Sequence, residues 1–239
     1  MKYFVIRGSS DTKILGHYPQ IKGIKHNCHV WDEPKFIEHH ELVKIDFEPI
    51  TSNAILYSNT NLTDLVSGGG MGFTRKLLVS AKLKKLLMKQ NKATLQFFES
   101  PLIQNNQYIY NYFVLNVTEA SLNFIDFKSS EIYLMDGLFD DIKKLNIDNY
   151  NEFLKEINFV EDTGWPLNLR IKKIEIIPNA LDFFALKHVE GGINYLVSEE
   201  LKNEIENAGC TGIEFQPSEL SYNEWTTPGG EREKVYGKM

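Results

Sequence analysis

Three groups of residues in this chain have side chains that could do chemistry. The first is a cluster of metal-ligating types, namely His26, Cys28, His29, His39 and His40. A zinc site usually has paired ligands a few residues apart in each of two turns, and this segment has a single thiol. Cys28 with His26 or His29 could serve as nucleophile and base, but no local signature supports the pairing. We therefore predict histidines in a surface loop and no bound metal.

The second group is a glycine run, Ser67-Gly68-Gly69-Gly70-Met71-Gly72. A nucleotide-binding loop ends in Gly-Lys-Ser or Gly-Lys-Thr, and a dinucleotide fingerprint has fixed glycine spacing at the start of a helix. The run has neither feature. It predicts a flexible hairpin or binding loop, and we expect no cofactor.

The third group follows an apolar stretch and consists of Asp126, Ser129, Ser130 and Glu131. Aspartate and serine at a strand end commonly form turns, because their side chains bond the local backbone. No serine in the chain has a matching histidine and aspartate. An enzyme with an unrecognised site near Asp126, Ser129 and the 68–72 loop stays open as an alternative, as does a small-ligand-binding module.

The elements that would position these groups include a phrase that occurs twice. Residues 78–84 read Leu-Val-Ser-Ala-Lys-Leu-Lys, and residues 196–202 read Leu-Val-Ser-Glu-Glu-Leu-Lys. Each copy passes from an apolar stretch through a serine into a helical pattern, and a β-rich stretch follows. A serine hydroxyl accepts a hydrogen bond from the first turn of a helix. We predict that Ser80 and Ser198 are N-caps and that Gly209 ends the second helix.

The remaining patterns predict strands and one further helix. A helix should open at Asp148 or Asn149. Strands are expected at 1–8, 42–47, 54–57, 108–117, 122–127, 169–177 and 181–186. The predicted fold is α+β: mixed, largely antiparallel sheets with a few short helices and two similar strand–helix–strand units.

Length and composition limit the class of protein. The chain has 239 residues, of which 42% are hydrophobic, and no apolar run reaches the roughly 20 residues of a membrane span. It has two cysteines and no signal-peptide pattern, so we expect a reduced, cytoplasmic protein. We expect residues 1–72 to form a β-rich portion packed as one unit with an α+β region at 73–222, and residues 223–239 to form a loose tail.

The net charge of −6 is concentrated in one segment. The segment from residue 131 to residue 162 contains nine acidic residues and three lysines, and this difference equals the whole net charge. An acidic surface repels phosphate backbones. We therefore expect a basic protein as partner rather than nucleic acid; a solvated helix face is the alternative for such a charge run.

The order of several phrases resembles a known family. They are Leu78-Val79-Ser80-x-x-Leu83, Leu95–Phe98, Tyr112–Val117, Asp126 with Ser129, Tyr195–Lys202 and Ala208–Phe215. Together they resemble the "immunity protein eleven" family, found beside bacterial polymorphic toxins. The resemblance covers roughly residues 73–217 and rests on structural phrases rather than catalytic residues.

The resemblance implies a non-enzymatic cytoplasmic immunity protein, or antitoxin, that binds a cognate protein toxin and blocks it by surface occlusion. It supplies no catalytic residues. Joined to the charge pattern, it leads us to expect an acidic toxin-binding surface with aromatic anchors. The expected residues are Asp136, Asp140, Asp141, Tyr150, Glu152, Glu156 and Trp165. The toxin's activity and the oligomeric state stay open.

Overall fold

The computed structural model describes residues 2–67, 76–90, 94–138, 140–178 and 180–238. The strands are β1 Tyr3–Gly8, β2 Ile21–Lys25, β3 Asn53–Leu56, β4 Leu65–Val66, β5 Leu77–Ser80, β6 Leu95–Glu99, β7 Leu102–Gln104, β8 Gln107–Ile109, β9 Tyr112–Val117, β10 Glu131–Asp136, β11 Asp140–Leu145, β12 Leu167–Lys173, β13 Phe183–Val189, β14 Gly192–Ser198 and β15 Ile213–Pro217. The α-helices are α1 Thr12–Leu15, α2 Ala81–Leu87, α3 Tyr150–Thr163, α4 Glu199–Asn207, α5 Tyr222–Thr226 and α6 Glu231–Tyr236, with 3-10 turns at Ile37–His39 and Leu122–Phe124. This content confirms the predicted α+β class.

The strands form three sheets. Their orders are β11-β10-β12-β13-β14-β1-β15, β2-β3-β7-β8 and β4-β5-β9-β6. Most neighbours are antiparallel, with parallel pairing of β12 with β13 and of β3 with β7. The expected antiparallel character of the sheets is therefore confirmed.

The chain divides into two compact units that interleave along the sequence. The first comprises Met1–Val5, Ala120–Glu199 and Gln216–Val235, and the second comprises Ile6–Glu119, Glu200–Phe215 and Tyr236–Met239. These bounds differ from the contiguous ranges expected at 1–72, 73–222 and 223–239. Each unit has its own apolar core, the first around Phe153 and Ile132 and the second around Leu78 and Val114.

The repeated phrase marks a duplicated structural unit. In the first copy β5 pairs with β4 and β9, and in the second β14 pairs with β13 and β1. The register is the same in both, because Ser80 lies opposite Tyr112 and Ser198 lies opposite Tyr3. The sheet orders β4-β5-β9-β6 and β13-β14-β1-β15 therefore correspond strand for strand. The N-terminal strand β1 therefore has the same position in the second copy as β9 has in the first.

A serine–aspartate clasp closes each copy at the point where strand becomes helix. In the first, the Ser80 N–H donates to the Asp64 carbonyl at 2.8 Å and its hydroxyl donates to the Asp64 carboxylate at 2.6 Å. In the second, Ser198 makes the same two bonds to Asp182. In both copies the clasp serine lies 16 residues after the clasp aspartate.

The clasp also bears on the helix starts. Ser80 is the N-cap of α2, as predicted, because its hydroxyl accepts a bond from the N–H of Leu83. Ser198 directly precedes α4. The end of α4 also follows the prediction: Gly209 has φ +66°, and the N–H groups of Gly209 and Cys210 return to Glu206 and Ile205. Those two bonds form a Schellman cap.

Removing either clasp hydroxyl should destabilise the protein. We predict that Ser80→Ala lowers the free energy of unfolding by about 1 kcal/mol, the usual cost of a lost cap bond. Ser198→Ala should cost about 1 kcal/mol as well, the usual net value of a side-chain hydrogen bond such as the one to Asp182. Urea denaturation measures this change. Ser121→Ala is the matched control, because Ser121 precedes a 3-10 turn without a side-chain cap bond. Equal losses in all three variants would contradict the assignment.

The strand predicted at 42–47 is wrong, and a row of three polar side chains, two buried and one half-buried, explains the difference. Gln96 and Asn116 are cross-strand partners, and Lys76 immediately precedes β5. Lys76, Asn116 and Gln96 donate to the carbonyls of residues 40, 43 and 45 at 2.7, 2.8 and 2.6 Å, and Gln96 also accepts from the N–H of Ile45. Side chains thus satisfy backbone groups that a strand would pair in a ladder.

Two further strand predictions differ from the structure. The single strand expected over 108–117 is two strands, β8 and β9, separated at Asn111, where φ is +69°. The strand expected at 122–127 is a 3-10 turn followed by one isolated bridge between Ile125 and Ile176. In both places the local pattern was apolar, but a backbone turn interrupts it.

Residues 223–239, expected to be a loose tail, contain ordered helices. Trp225 in α5 and Arg232 in α6 are buried. Ser221 and Glu224 form a capping box at the start of α5. Glu224 also pairs with Lys173 of β12 at 2.7 Å. The pattern missed these helices because they are too short to show a clear apolar period.

The capping carboxylate predicts a pH dependence. The bond from Lys173, with those from Ser221, lowers the pKa of Glu224 to about 2. A depressed folded-state pKa contributes stability above the unfolded value, and this stability is lost as the pH falls toward about 2. Glu224→Gln should therefore flatten the fall in unfolding free energy between pH 4.5 and 2. Thermal melts across that range test this, and an unchanged slope would contradict it.

Candidate protein-binding surface

Part of the expected acidic set meets at the tip of one hairpin. β10 and β11 form an antiparallel pair, and Asp136 and Asp140 are cross-strand partners where it turns. Gly137 has φ +65°, which only glycine adopts readily. Leu138 at the turn is 52% exposed. Like charges directly opposite each other destabilise a sheet, so this pair lowers stability rather than adding to it.

Trp165 lies beside the same turn. Helix α3 ends at Thr163, and the chain passes through Gly164 and Trp165 into β12. The N–H of Gly137 donates to the carbonyl of Pro166 at 2.9 Å, which ties this loop to the hairpin. Trp165 itself is 71% exposed. We call Asp136, Leu138, Asp140 and Trp165 the hairpin tip.

The other acids of the hairpin are neutralised by lysines from neighbouring strands. Asp141 pairs with Lys172 at 2.5 Å, and Glu131 pairs with Lys144 at 3.0 Å. The hydrogen bond from Lys144 is the largest cause of the lowered pKa of Glu131. Among the described residues, Asp136 and Asp140 have no ion-pair partner. The unneutralised negative charge of the hairpin therefore lies at its tip, not along its length.

The three expected residues on α3 lie elsewhere. Glu152 accepts from the N–H of Asp148 at 2.8 Å and from the Asn149 side chain at 2.9 Å, so its carboxylate caps the helix. Tyr150 lies at the first residue of α3, with its ring 6.2 Å from that of Phe127. A helix rises 1.5 Å per residue, which places this end about 20 Å from the Trp165 end.

Glu156 is half-buried in the middle of α3. The structure therefore groups Asp136, Asp140 and Trp165 at the tip, with Asp141 adjacent but paired. It separates them from Tyr150 and Glu152. The buried side of α3, formed by Phe153, Ile157 and Val160, holds the helix in the core.

The local groups considered for chemistry have structural partners. The Ser129 hydroxyl donates to Asp126 at 2.8 Å, as a turn former does. His26 bonds Ser52, and His29 pairs with Asp32. Within the described ranges no group of three or more His, Cys, Asp or Glu could hold a metal ion. The glycine run at 68–72 lies outside the described residues.

Cys28 lacks the environment of a catalytic thiolate. Burial, with a smaller effect of the nearby Glu33 carboxylate, raises the pKa of its thiol. A reactive thiol needs a lowered pKa.

No helix in the described part of the chain is long and apolar enough to cross a membrane.

Sequence reasoning missed two exposed apolar side chains. Trp31 is 83% exposed, in a turn where His29 accepts bonds from the N–H groups of Asp32 and Glu33. Leu138 is exposed in the hairpin turn. A tryptophan inside a polar stretch with no apolar period, such as Trp31, is a signal that the sequence contains. Leu138 follows apolar residues of β10 and gives no such signal.

The described chain is an α+β protein in which Leu138 and Trp165 are exposed at the hairpin tip. The sequence profile described as "Immunity protein family (Imm11)" matches residues 4–219. The chain belongs to this family. The match begins earlier than the resemblance at 73–217 and includes β1, which completes the second copy of the repeat. No curated protein matches the chain.

The exposed tryptophan should be dispensable for folding. We predict that Trp165→Ala changes the free energy of unfolding by less than about 0.5 kcal/mol, as is usual for exposed side chains. Trp225→Ala is the matched comparison: Trp225 is 2% exposed, so its loss should cost about 3–5 kcal/mol. Chemical denaturation measures both. A large loss in Trp165→Ala would assign that side chain to folding instead of binding.

Proposed function

We propose that this protein is a cytoplasmic antitoxin that binds a cognate toxin and neutralises it by occluding its surface. Membership of the immunity family supports the role. The observation that supports this binding surface is the composition of the hairpin tip. There the unneutralised carboxylates of Asp136 and Asp140 flank the exposed Leu138, and the exposed Trp165 lies beside them. Evolution toward stability alone would not favour Asp136 opposite Asp140.

The chemistry of the tip indicates a basic toxin surface. A cation seated between Asp136 and Asp140 would relieve their mutual repulsion, while Trp165 and Leu138 would be buried against the toxin. Buried aromatic anchors dominate the energy of many interfaces, and complementary charges mainly speed encounter. The protein would then act by binding alone, without catalysis and without nucleic acid as partner.

The competing enzyme hypothesis has less support. Its residues Asp126 and Ser129 bond each other in a turn, and neither has a histidine among the hydrogen bonds of the described chain. The small-ligand-binding alternative would need a concave site that encloses its ligand. Binding through an exposed tip needs no concavity, and it uses residues whose arrangement folding does not explain.

Charge reversal at the tip tests the proposal. We predict that reversing both Asp136 and Asp140 to lysine lowers the association rate with the toxin encoded by the adjacent gene by about tenfold at low salt. The difference should shrink as salt rises, because exposed charges are screened over about 8 Å at physiological ionic strength. Dissociation should change less. Stopped-flow binding measures both rates.

The matched control reverses Asp46 and Glu48, which are exposed and alter the net charge equally. That variant should bind nearly as wild type does. Co-expression with the toxin gives the cellular readout. Full toxicity in the presence of abundant wild-type protein would reject immunity to that toxin. Protection and association unchanged by the tip reversal would keep immunity and remove the hairpin tip from its mechanism.

A further inference from the structure

The two copies of the repeat differ at one functional position. Lys84 of α2 and Lys202 of α4 are equivalent, because each lies four residues after its clasp serine. The Nζ of Lys84 is 5.5 Å from the Phe97 ring centroid, and the Nζ of Lys202 is 5.5 Å from that of Phe215. Both lysines therefore lie over the aromatic residue of the following strand.

A carboxylate completes this arrangement in the second copy only. Glu206, one helical turn beyond Lys202, accepts from its Nζ at 2.8 Å. The equivalent position in the first copy is Met88. Lys84 has no ion-pair partner in the described part of the chain, although its Nζ lies only 3.5 Å from the Phe113 ring centroid.

A solvent-open cavity lies beside Met88, the residue at the position of the missing carboxylate. It has a volume of about 590 Å³ and is lined by Ala81, Lys84, Lys85, Met88, Lys89 and Phe113. Lys85 also has no ion-pair partner among the described residues, and Lys89 lies 3.5 Å from Glu204. The cavity therefore combines an apolar floor with two unneutralised ammonium groups.

The electrostatics favour an anion there. Burial lowers the pKa of Lys84, with an opposing effect of Glu99, so the ammonium is poorly solvated. A charge taken out of water is stabilised by an opposite charge close by. Glu206 has that role in the second copy, whereas in the described part of the first copy no carboxylate is ion-paired with Lys84.

We propose that this lysine-lined cavity binds an aspartate or glutamate side chain of the protein partner, with a neighbouring apolar side chain of the partner packed on Met88 and Phe113. The inference deepens the proposed function, on which its protein-partner part rests. It gives the toxin a second feature, an acidic-apolar segment, besides the basic surface that meets the hairpin tip.

A peptide measures the cavity without the toxin. The probe is acetyl-Gly-Glu-Phe-Gly-amide, and its glutamine analogue is the neutral control. With methyl-labelled methionine, we expect the glutamate peptide to shift the Met88 signal saturably and the analogue to bind about fivefold more weakly, as for a partly exposed ion pair. Lys84→Gln should remove the preference, and Lys202→Gln should retain it. Equal binding of both peptides, no saturable shift, or no effect of Lys84→Gln would overturn the inference that the cavity binds a carboxylate.

A second variant tests the protein partner. Met88→Glu would place a carboxylate where the second copy has Glu206, so it should pair with Lys84 and exclude the partner's side chain. We expect about fivefold weaker binding of the toxin encoded by the adjacent gene, with Met88→Gln binding as wild type does. If wild type binds that toxin and Met88→Glu binds it equally well, the cavity inference is wrong and the proposed function stands. If wild type does not bind it, the proposed function fails for that toxin, and the peptide result alone decides whether the cavity takes a carboxylate.

Discussion

The serine–aspartate clasp is the interaction on which both copies of the repeat depend. One serine closes the strand ladder through its N–H and bonds the carboxylate of the partner strand through its hydroxyl. In the first copy the same hydroxyl also caps α2. The clasp therefore sets where the strand ends and where the helix begins. Burial raises the pKa of the tyrosine opposite each clasp, with a smaller contribution from Asp182 at Tyr3 and from Asp64 at Tyr112, whose pKa reaches about 12.

The duplicated frame explains why differences between the copies are informative. Gln96 and Glu214 are equivalent, and both bond backbone N–H groups, of Ile45 and Ser10 respectively. That role is kept although one side chain is neutral and the other acidic. Lys84 and Lys202 keep their aromatic contacts but differ in their anion. The Lys84 difference supports the proposal of a partner carboxylate, because Lys84 keeps the aromatic contact of Lys202 but has no ion-pair partner among the described residues.

Charge counted along the chain overstates the acidic surface. The segment 131–162 contains the excess of acids, but Lys172 and Lys173 of β12 neutralise Asp141 and share in neutralising Glu131. Charged side chains on β11, an edge strand, also discourage pairing with other chains. Within the hairpin, Asp136 and Asp140 at the turn have no ion-pair partner among the described residues, although Asp140 also lies on the edge strand. The hairpin tip is thus a smaller and more specific feature than the acidic segment.

The sequence alone determined the features whose causes are local. Ser80 as a cap, α3 after Asn149 and the Gly209 end of α4 follow from bonds within a few residues, and the family follows from the order of such phrases. Tertiary structure decided the rest. The Tyr-Phe-Val that opens β1 and β9 is visible in the sequence, but only long-range pairing shows that β1 completes the second copy. Likewise, segment 40–45 is held by side chains far along the chain, and Asp141 is neutralised by a lysine 31 residues away. A local pattern contains no information about such partners, because pairing across the chain depends on which strands become neighbours.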